Sequence, residues 1–148
     1  MPRRVVVRCS PVHGRGVFSL RALEAGERIF EYKGERIAWR MAIRQYRKSG
    51  AVGHTYLFGL SDGRVIDGGR RGNSARWLNH SCNANCEAIE IDGRVFIHAS
   101  STIAPGEELF LDYRLELDEP PDEGARLCYA CRCGSAACRG TMLAVESW

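Results

Sequence analysis

Arg76-Trp77-Leu78-Asn79-His80-Ser81-Cys82-Asn83-Ala84-Asn85-Cys86 sets an apolar pair, a run of hydrogen-bonding side chains, a histidine and two thiols into eleven positions. No turn, helix or strand preference asks for that combination. Asn79 and Ser81 compete for backbone hydrogen bonds, so the segment suits no helix interior. Trp77-Leu78 just before it are core material. The expectation is a loop pinned into the interior by what precedes it, with polar groups that need partners there.

The flanking chain reads as short strands and tight turns. Downstream, Ala88-Ile89-Glu90-Ile91 and Arg94-Val95-Phe96-Ile97 flank Asp92-Gly93, a strong hairpin signal. Leu109-Phe110-Leu111-Asp112-Tyr113 is a strand. Upstream, Gly68-Gly69-Arg70-Arg71-Gly72-Asn73 is an irregular loop. Thr55-Tyr56-Leu57-Phe58 and Val65-Ile66-Asp67 are β-rich segments joined through Ser61-Asp62-Gly63-Arg64. Residues 36–48 predict a helix, with Arg36, Arg40, Arg44 and Lys48 in one basic stripe at i+4 spacing and Ser49-Gly50 ending it. Ala25-Gly26-Glu27-Arg28-Ile29-Phe30 is echoed by Pro105-Gly106-Glu107-Glu108-Leu109-Phe110, which suggests two similar turn-and-strand arms in a mostly β framework. Val5-Val6-Val7 is a short strand, and His13-Gly14-Arg15-Gly16-Val17-Phe18 follows. Its paired glycines allow a tight turn or close approach to a ligand. They are not a dinucleotide fingerprint, because no third glycine opens a helix.

A chain of 148 residues suits one domain with a real core, and 45% hydrophobic with 26% charged residues is ordinary for a globular protein. No apolar run approaches membrane-spanning length. The basic start reaches only three valines before another arginine, which is no signal peptide, so an intracellular, reducing location is expected. The net charge of +3 hides a gradient: residues 1–80 carry 16 Lys and Arg against 6 Asp and Glu, and residues 81–148 carry 5 against 12, giving +10 and −7. The basic half invites nucleic acid or is a solvated surface, and the acidic half invites a cationic partner.

Seven cysteines is an odd count, which argues against a closed disulfide framework. Six fall into two groups, Cys82/Cys86 and Cys128/Cys131/Cys133/Cys138, and grouping favours metal. Cys131-x-Cys133-x4-Cys138 brings three thiols within reach of one ion, and the small residues Gly134-Ser135-Ala136-Ala137 let the chain wrap tightly. Tetrahedral zinc needs a fourth ligand. Cys128, Cys9, Cys82 and Cys86 are the candidates, and spacing alone favours Cys128.

Arg76-Trp77-Leu78-Asn79-His80-Ser81-Cys82, then Glu108-Leu109-Phe110-Leu111-Asp112-Tyr113, then Cys131-x-Cys133-x4-Cys138-Arg139-Gly140 resemble the SET domain with its post-SET segment. That is the family of protein-lysine methyltransferases using S-adenosylmethionine. Gly14-Arg15-Gly16-Val17-Phe18, Glu31-Tyr32-x-Gly34-Glu35 and Tyr56-Leu57-Phe58 match its earlier signatures in order, so the likeness covers nearly the whole chain. It implies a mostly β, β-clip-like fold of small sheets with few short helices, in which the C-terminal strand threads beneath the Asn79-His80 loop as a pseudoknot. Its divisions here would be a SET domain over 1–115, an acidic linker over 116–126 and a zinc-binding post-SET segment over 127–148.

The resemblance also assigns roles. Tyr113 is similar to the catalytic tyrosine, and Tyr56 to the second active-site tyrosine beside the cofactor. The backbone of His13, Gly14, Arg15, Gly16 and Val17, with that of Asn79 and His80, would hold S-adenosylmethionine. Arg76 resembles the arginine that steadies this loop. Structural zinc would take Cys82, Cys131, Cys133 and Cys138, against the spacing argument for Cys128. The implied partner is a lysine-bearing basic protein of the histone type. The implied place is the nucleus where there is one to reach, and otherwise the cytoplasm. Two positions depart from the family pattern. Leu111 stands where an aromatic is usual, which predicts room for di- or trimethylation, and Thr141-Met142-Leu143 replace an aromatic after Gly140. Two rival expectations remain, a catalytically silent zinc-stabilised module binding nucleic acid through Arg36, Arg40, Arg44, Arg70 and Arg71, and a methyltransferase of a small amine.

Overall fold

A computed structural model describes residues 3–12, 14–42, 44, 57–112 and 138. Ten strands occur in order among them: β1 (Val5–Cys9), β2 (Arg15–Ser19), β3 (Arg28–Tyr32), β4 (Glu35–Ala38), β5 (Leu57–Gly59), β6 (Arg64–Asp67), β7 (Asn79–His80), β8 (Cys86–Ile91), β9 (Arg94–Ala99) and β10 (Glu108–Leu111). They form a four-stranded sheet ordered β1-β2-β10-β7 and two three-stranded sheets, β3-β9-β8 and β4-β6-β5. One turn of 3-10 helix, Ser74–Trp77, leads into β7. This is the mostly β arrangement of small sheets that the sequence predicts.

The turn chemistry explains the hairpins. Asp92 and Gly93 both take positive φ, 52° and 75°, the pairing a tight two-residue hairpin needs between β8 and β9. Strand β9 then alternates, with Val95, Ile97 and Ala99 fully buried and Phe96 and His98 on the other face.

The two echoed arms fold alike. Gly26 and Gly106 take φ of 87° and 85°. Gly26 N–H donates to the Ala99 carbonyl and Ala99 N–H to Glu27, while Gly106 N–H donates to Ser19 and Ser19 N–H to Glu107. Between the arms, Leu23 and Ile103 exchange both backbone hydrogen bonds at 2.9 Å, and both side chains are 0% exposed. They sit at the centre of the main core with Val17, Leu78, Ile97 and Leu109.

The helix expected over 36–48 starts later. Glu35–Ala38 is strand β4, residues 39–42 and 44 are helical, and residues 45–48 lie outside the described residues. Ladder pairing with β6 overrides local preference here: Ile37 points inward beside Val65, and Arg36 points out. Arg36 therefore belongs to no helical stripe; its guanidinium donates to the Gly93 carbonyl at 2.8 and 3.2 Å. Other arginines of the basic half form ion pairs, Arg64 with Asp62 at 2.8 Å, Arg21 with Glu27 at 3.2 Å and Arg70 with Asp67 at 3.8 Å. Among the described residues no helix is long and apolar enough to cross a membrane. The acidic linker and the tail segment lie outside the described residues, apart from Cys138.

Candidate active site

The opening stretch is interior, as its composition demands. Asn79, His80 and Ser81 are 2%, 4% and 6% exposed. They are satisfied by an unusual neighbour: β7 pairs parallel with β10, Asn79 beside Phe110 and His80 beside Leu111. Ser81 N–H extends the contact to the Leu111 carbonyl at 3.1 Å. Farther along the loop, the Asn85 side chain acts as a strand surrogate. Its Nδ2 donates to the Glu108 carbonyl at 2.9 Å and its Oδ1 accepts from Phe110 N–H at 2.8 Å. Strand β10 is thus held by β2 on one side and by β7 and Asn85. The chain beyond Asp112, where the threading would be completed, lies outside the described residues.

The paired-glycine loop packs on the same crossing. Asn79 Nδ2 donates to the Arg15 carbonyl and to Glu108 Oε2, both at 2.9 Å. Ser10 Oγ donates to the Glu108 carboxylate, 2.8 and 2.9 Å from its two oxygens. Gly16 is required there, because a Cβ would occupy the space of that carboxylate. The Val17 side chain is fully buried in the core, so only its backbone could serve a ligand.

His80 lies between two chemically distinct groups. Its side chain is 1% exposed, with Nδ1 3.7 Å from Asp112 Oδ1. Its Nε2 is 3.4 Å from Cys82 Sγ, within hydrogen-bonding reach of sulfur. One ring therefore touches the residue before Tyr113 and the first candidate zinc thiol.

Arg76 and Arg15 stack on Trp77, with guanidinium carbons 4.7 and 5.5 Å from the ring centroid. Arg76 Nε is buried and has no hydrogen-bond partner among the described residues. A buried donor of this kind is costly unless an acceptor reaches it. S-adenosylmethionine carries a carboxylate, ribose hydroxyls and purine nitrogens, all acceptors, so the donor chemistry beside the glycine loop fits that group.

The cysteines divide by environment. Cys86 is 4% exposed on β8, and burial pushes its thiol up to about 12. Cys82 and Cys138 are partly exposed, and Cys9 is exposed at the end of β1. Among the described residues no three His, Cys, Asp or Glu side chains cluster as a metal site. Cys128, Cys131 and Cys133 lie outside those residues, as do His13, Tyr56 and Tyr113.

Of the expected site, the structure brings together the glycine loop, Asn79, His80 and Cys82 around β10. The sequence reading assigned no role to Ser10, Asn85, Glu108 or Asp112. A signal for Glu108 existed: a carboxylate inside an otherwise apolar strand, Leu109-Phe110-Leu111 following it, has to find partners in the interior.

Comparison with known proteins agrees with this geometry. The SET domain family model matches residues 14–114. A protein of Kluyveromyces lactis named "Histone-lysine N-methyltransferase, H3 lysine-4 specific" is 41% identical over 138 residues, covering 88% of this chain and 13% of its own length. Proteins of the same name from Emericella nidulans and Saccharomyces cerevisiae are 40% and 39% identical over the same span, covering 11% and 12% of their own lengths. The chain thus spans about an eighth or less of the relatives it matches. With the family signature running through both sides of the β7–β10 crossing, the chain belongs to the SET domain family.

Proposed function

We propose that this chain transfers methyl groups from S-adenosylmethionine to the side-chain amine of lysine in a basic protein of the histone class. The observation that carries the proposal is the parallel pairing of Asn79-His80 with β10, which puts the glycine loop and the residue before Tyr113 on one crossing. The relatives' printed specificity for histone H3 supports the substrate class. A Lys- and Arg-rich tail would also suit the negative balance of residues 81–148, 12 Asp and Glu against 5 Lys and Arg.

When bound, S-adenosylmethionine supplies a sulfonium methyl group for in-line displacement by an amine. The chain's work is positioning and proton removal. Backbone groups of residues 13–17 and 79–80 would hold the cofactor, and Arg76 Nε would offer it a donor. By the family resemblance Tyr56 would line a narrow lysine channel, which would disfavour the ammonium by desolvation so that the amine reacts neutral. By the same resemblance, Tyr113 would bring its hydroxyl to the reacting nitrogen and orient its lone pair. Leu111, smaller than the aromatic usual at that position, leaves room for a second and third methyl group.

Incubation with labelled cofactor and histone H3 should place label on lysine. Tyr113→Phe should lower kcat about 100-fold or more with the fold unchanged by circular dichroism. Full activity in that variant removes Tyr113 from the mechanism. Label only on free amines makes the chain a small-amine methyltransferase.

Zinc held by Cys82, Cys131, Cys133 and Cys138 would clamp the tail over this site. Metal analysis should find zinc lost in Cys82→Ser and retained in Cys128→Ser. The reverse result returns the fourth position to Cys128.

A further inference from the structure

Glu108 is a buried side chain, 9% exposed, for which the proposed chemistry has no task. It is nonetheless the point on which the ligand-facing loops converge. From one side, Ser10 brings its hydroxyl to both carboxylate oxygens at 2.8 and 2.9 Å. Ser10 also closes the loop that follows it: its Oγ accepts from Val12 N–H at 3.0 Å, and its N–H donates to the Gly14 carbonyl at 2.8 Å. From the other side, Asn79 Nδ2 bridges the carboxylate and the Arg15 carbonyl, both at 2.9 Å. The carboxylate fills the space where residue 16 would carry a Cβ. One side chain of β10 therefore ties residues 10–16 to the Asn79-His80 segment, two parts of the chain more than sixty residues apart.

We infer that Glu108 is a positioning residue for the cofactor, fixing the loop 10–16 against Asn79 so that their backbone groups meet S-adenosylmethionine already in place. The inference rests on the cofactor position proposed above. Its physical basis is preorganisation. Without the carboxylate, Ser10 and Asn79 lose their common acceptor, and the loop has to be ordered when the cofactor binds, at the expense of affinity. In the proposed site the reacting groups would be reached from the other end of β10, beyond Leu111, so the effect belongs in cofactor affinity and not in the methyl-transfer step.

Isothermal titration with S-adenosylmethionine, alongside steady-state kinetics on histone H3, tests this. Glu108→Ala should raise Kd and KM for the cofactor about tenfold, the scale of a lost buried acceptor, with kcat and the peptide KM little changed. Glu108→Gln keeps an acceptor for Asn79 and should restore part of the affinity. Ser10→Ala should weaken binding less than Glu108→Ala does, and it carries the test if Glu108→Ala does not fold. Unchanged cofactor affinity in folded Ser10→Ala and Glu108→Gln overturns the inference. A fall in kcat at constant cofactor KM also overturns it. If the unmodified chain does not bind S-adenosylmethionine, both this inference and the proposed cofactor site fall. If it binds and the variants bind equally well, only this inference falls.

Discussion

The arms over 25–32 and 105–112 begin with the same turn, the same positive-φ glycine and the same pair of backbone hydrogen bonds to a neighbouring strand. They then diverge in what their side chains meet. After Gly26-Glu27 comes Arg28, exposed, its guanidinium 4.0 Å above the Phe96 ring. After Gly106-Glu107 comes Glu108, buried and gripped by Ser10 and Asn79. Glu31 in the first arm is half-buried and forks onto the exposed Arg94, while Leu111 in the second is packed in the core. The backbone module is thus indifferent to function. The strand it launches becomes scaffold when it lies at the edge of a sheet, as β3 does, and part of the site when it is laid between two others, as β10 is between β2 and β7.

This difference has its largest expected consequence at the matched apolar positions Leu109 and Ile29. Leu109 is 0% exposed in the main core, and Ile29 only flanks it. Leu109→Ala should destabilise by about 2–5 kcal/mol, the range for a fully enclosed leucine, and Ile29→Ala by clearly less. Urea unfolding of the two variants measures both. Equal losses would mean that the two arms are energetically equivalent and that enclosure of β10 is not what distinguishes them.

A smaller effect is expected at Leu111, which is 6% exposed and two residues before Tyr113. Leu111→Phe should cost about 1–3 kcal/mol through overpacking and shift the methylated product toward the monomethyl form. Mass spectrometry of histone H3 after prolonged reaction reads the product. An unchanged distribution of di- and trimethyl species would show that Leu111 does not limit the space around the amine.

Much of this was legible in the sequence because it is local. Asp92-Gly93 demands its hairpin, Gly26 and Gly106 announce matching arms, and Asn79-His80-Ser81 is too polar to be buried without a special partner. The strand at Glu35–Ala38 is hidden in the sequence because i+4 arginines look helical in isolation, while the pull of β6 on Ile37 comes from Val65, 28 positions away. Parallel pairing of a two-residue strand with β10 has no local signature either. The convergence of Ser10, Gly16 and Asn79 on Glu108 joins three distant segments, so only the fold reveals it. Cysteine spacing favours Cys128 as the fourth thiol over Cys9, Cys82 and Cys86, and the spacing carries no sign that Cys86 is buried on β8 while Cys82 is partly exposed.

The smallest effect should come from the exposed side of the comparison. Arg94 donates to Glu31 at 2.8 and 3.2 Å, and this hydrogen bonding holds the Glu31 carboxyl below its ordinary value of 4.5. A carboxyl depressed in the folded state adds stability that is fully present above the unfolded value. That stability is lost as pH falls from about 4.5 through the lower folded value. Glu31→Gln should therefore lower the urea midpoint slightly at pH 7, and the gap from the unmodified chain should close in acid and shrink in high salt, as for an exposed pair. Titrating the midpoint difference between neutral pH and acid checks the sign. A gap that persists in acid would mean that Glu31 acts through packing on β3, which would bring the scaffold arm closer in character to β10.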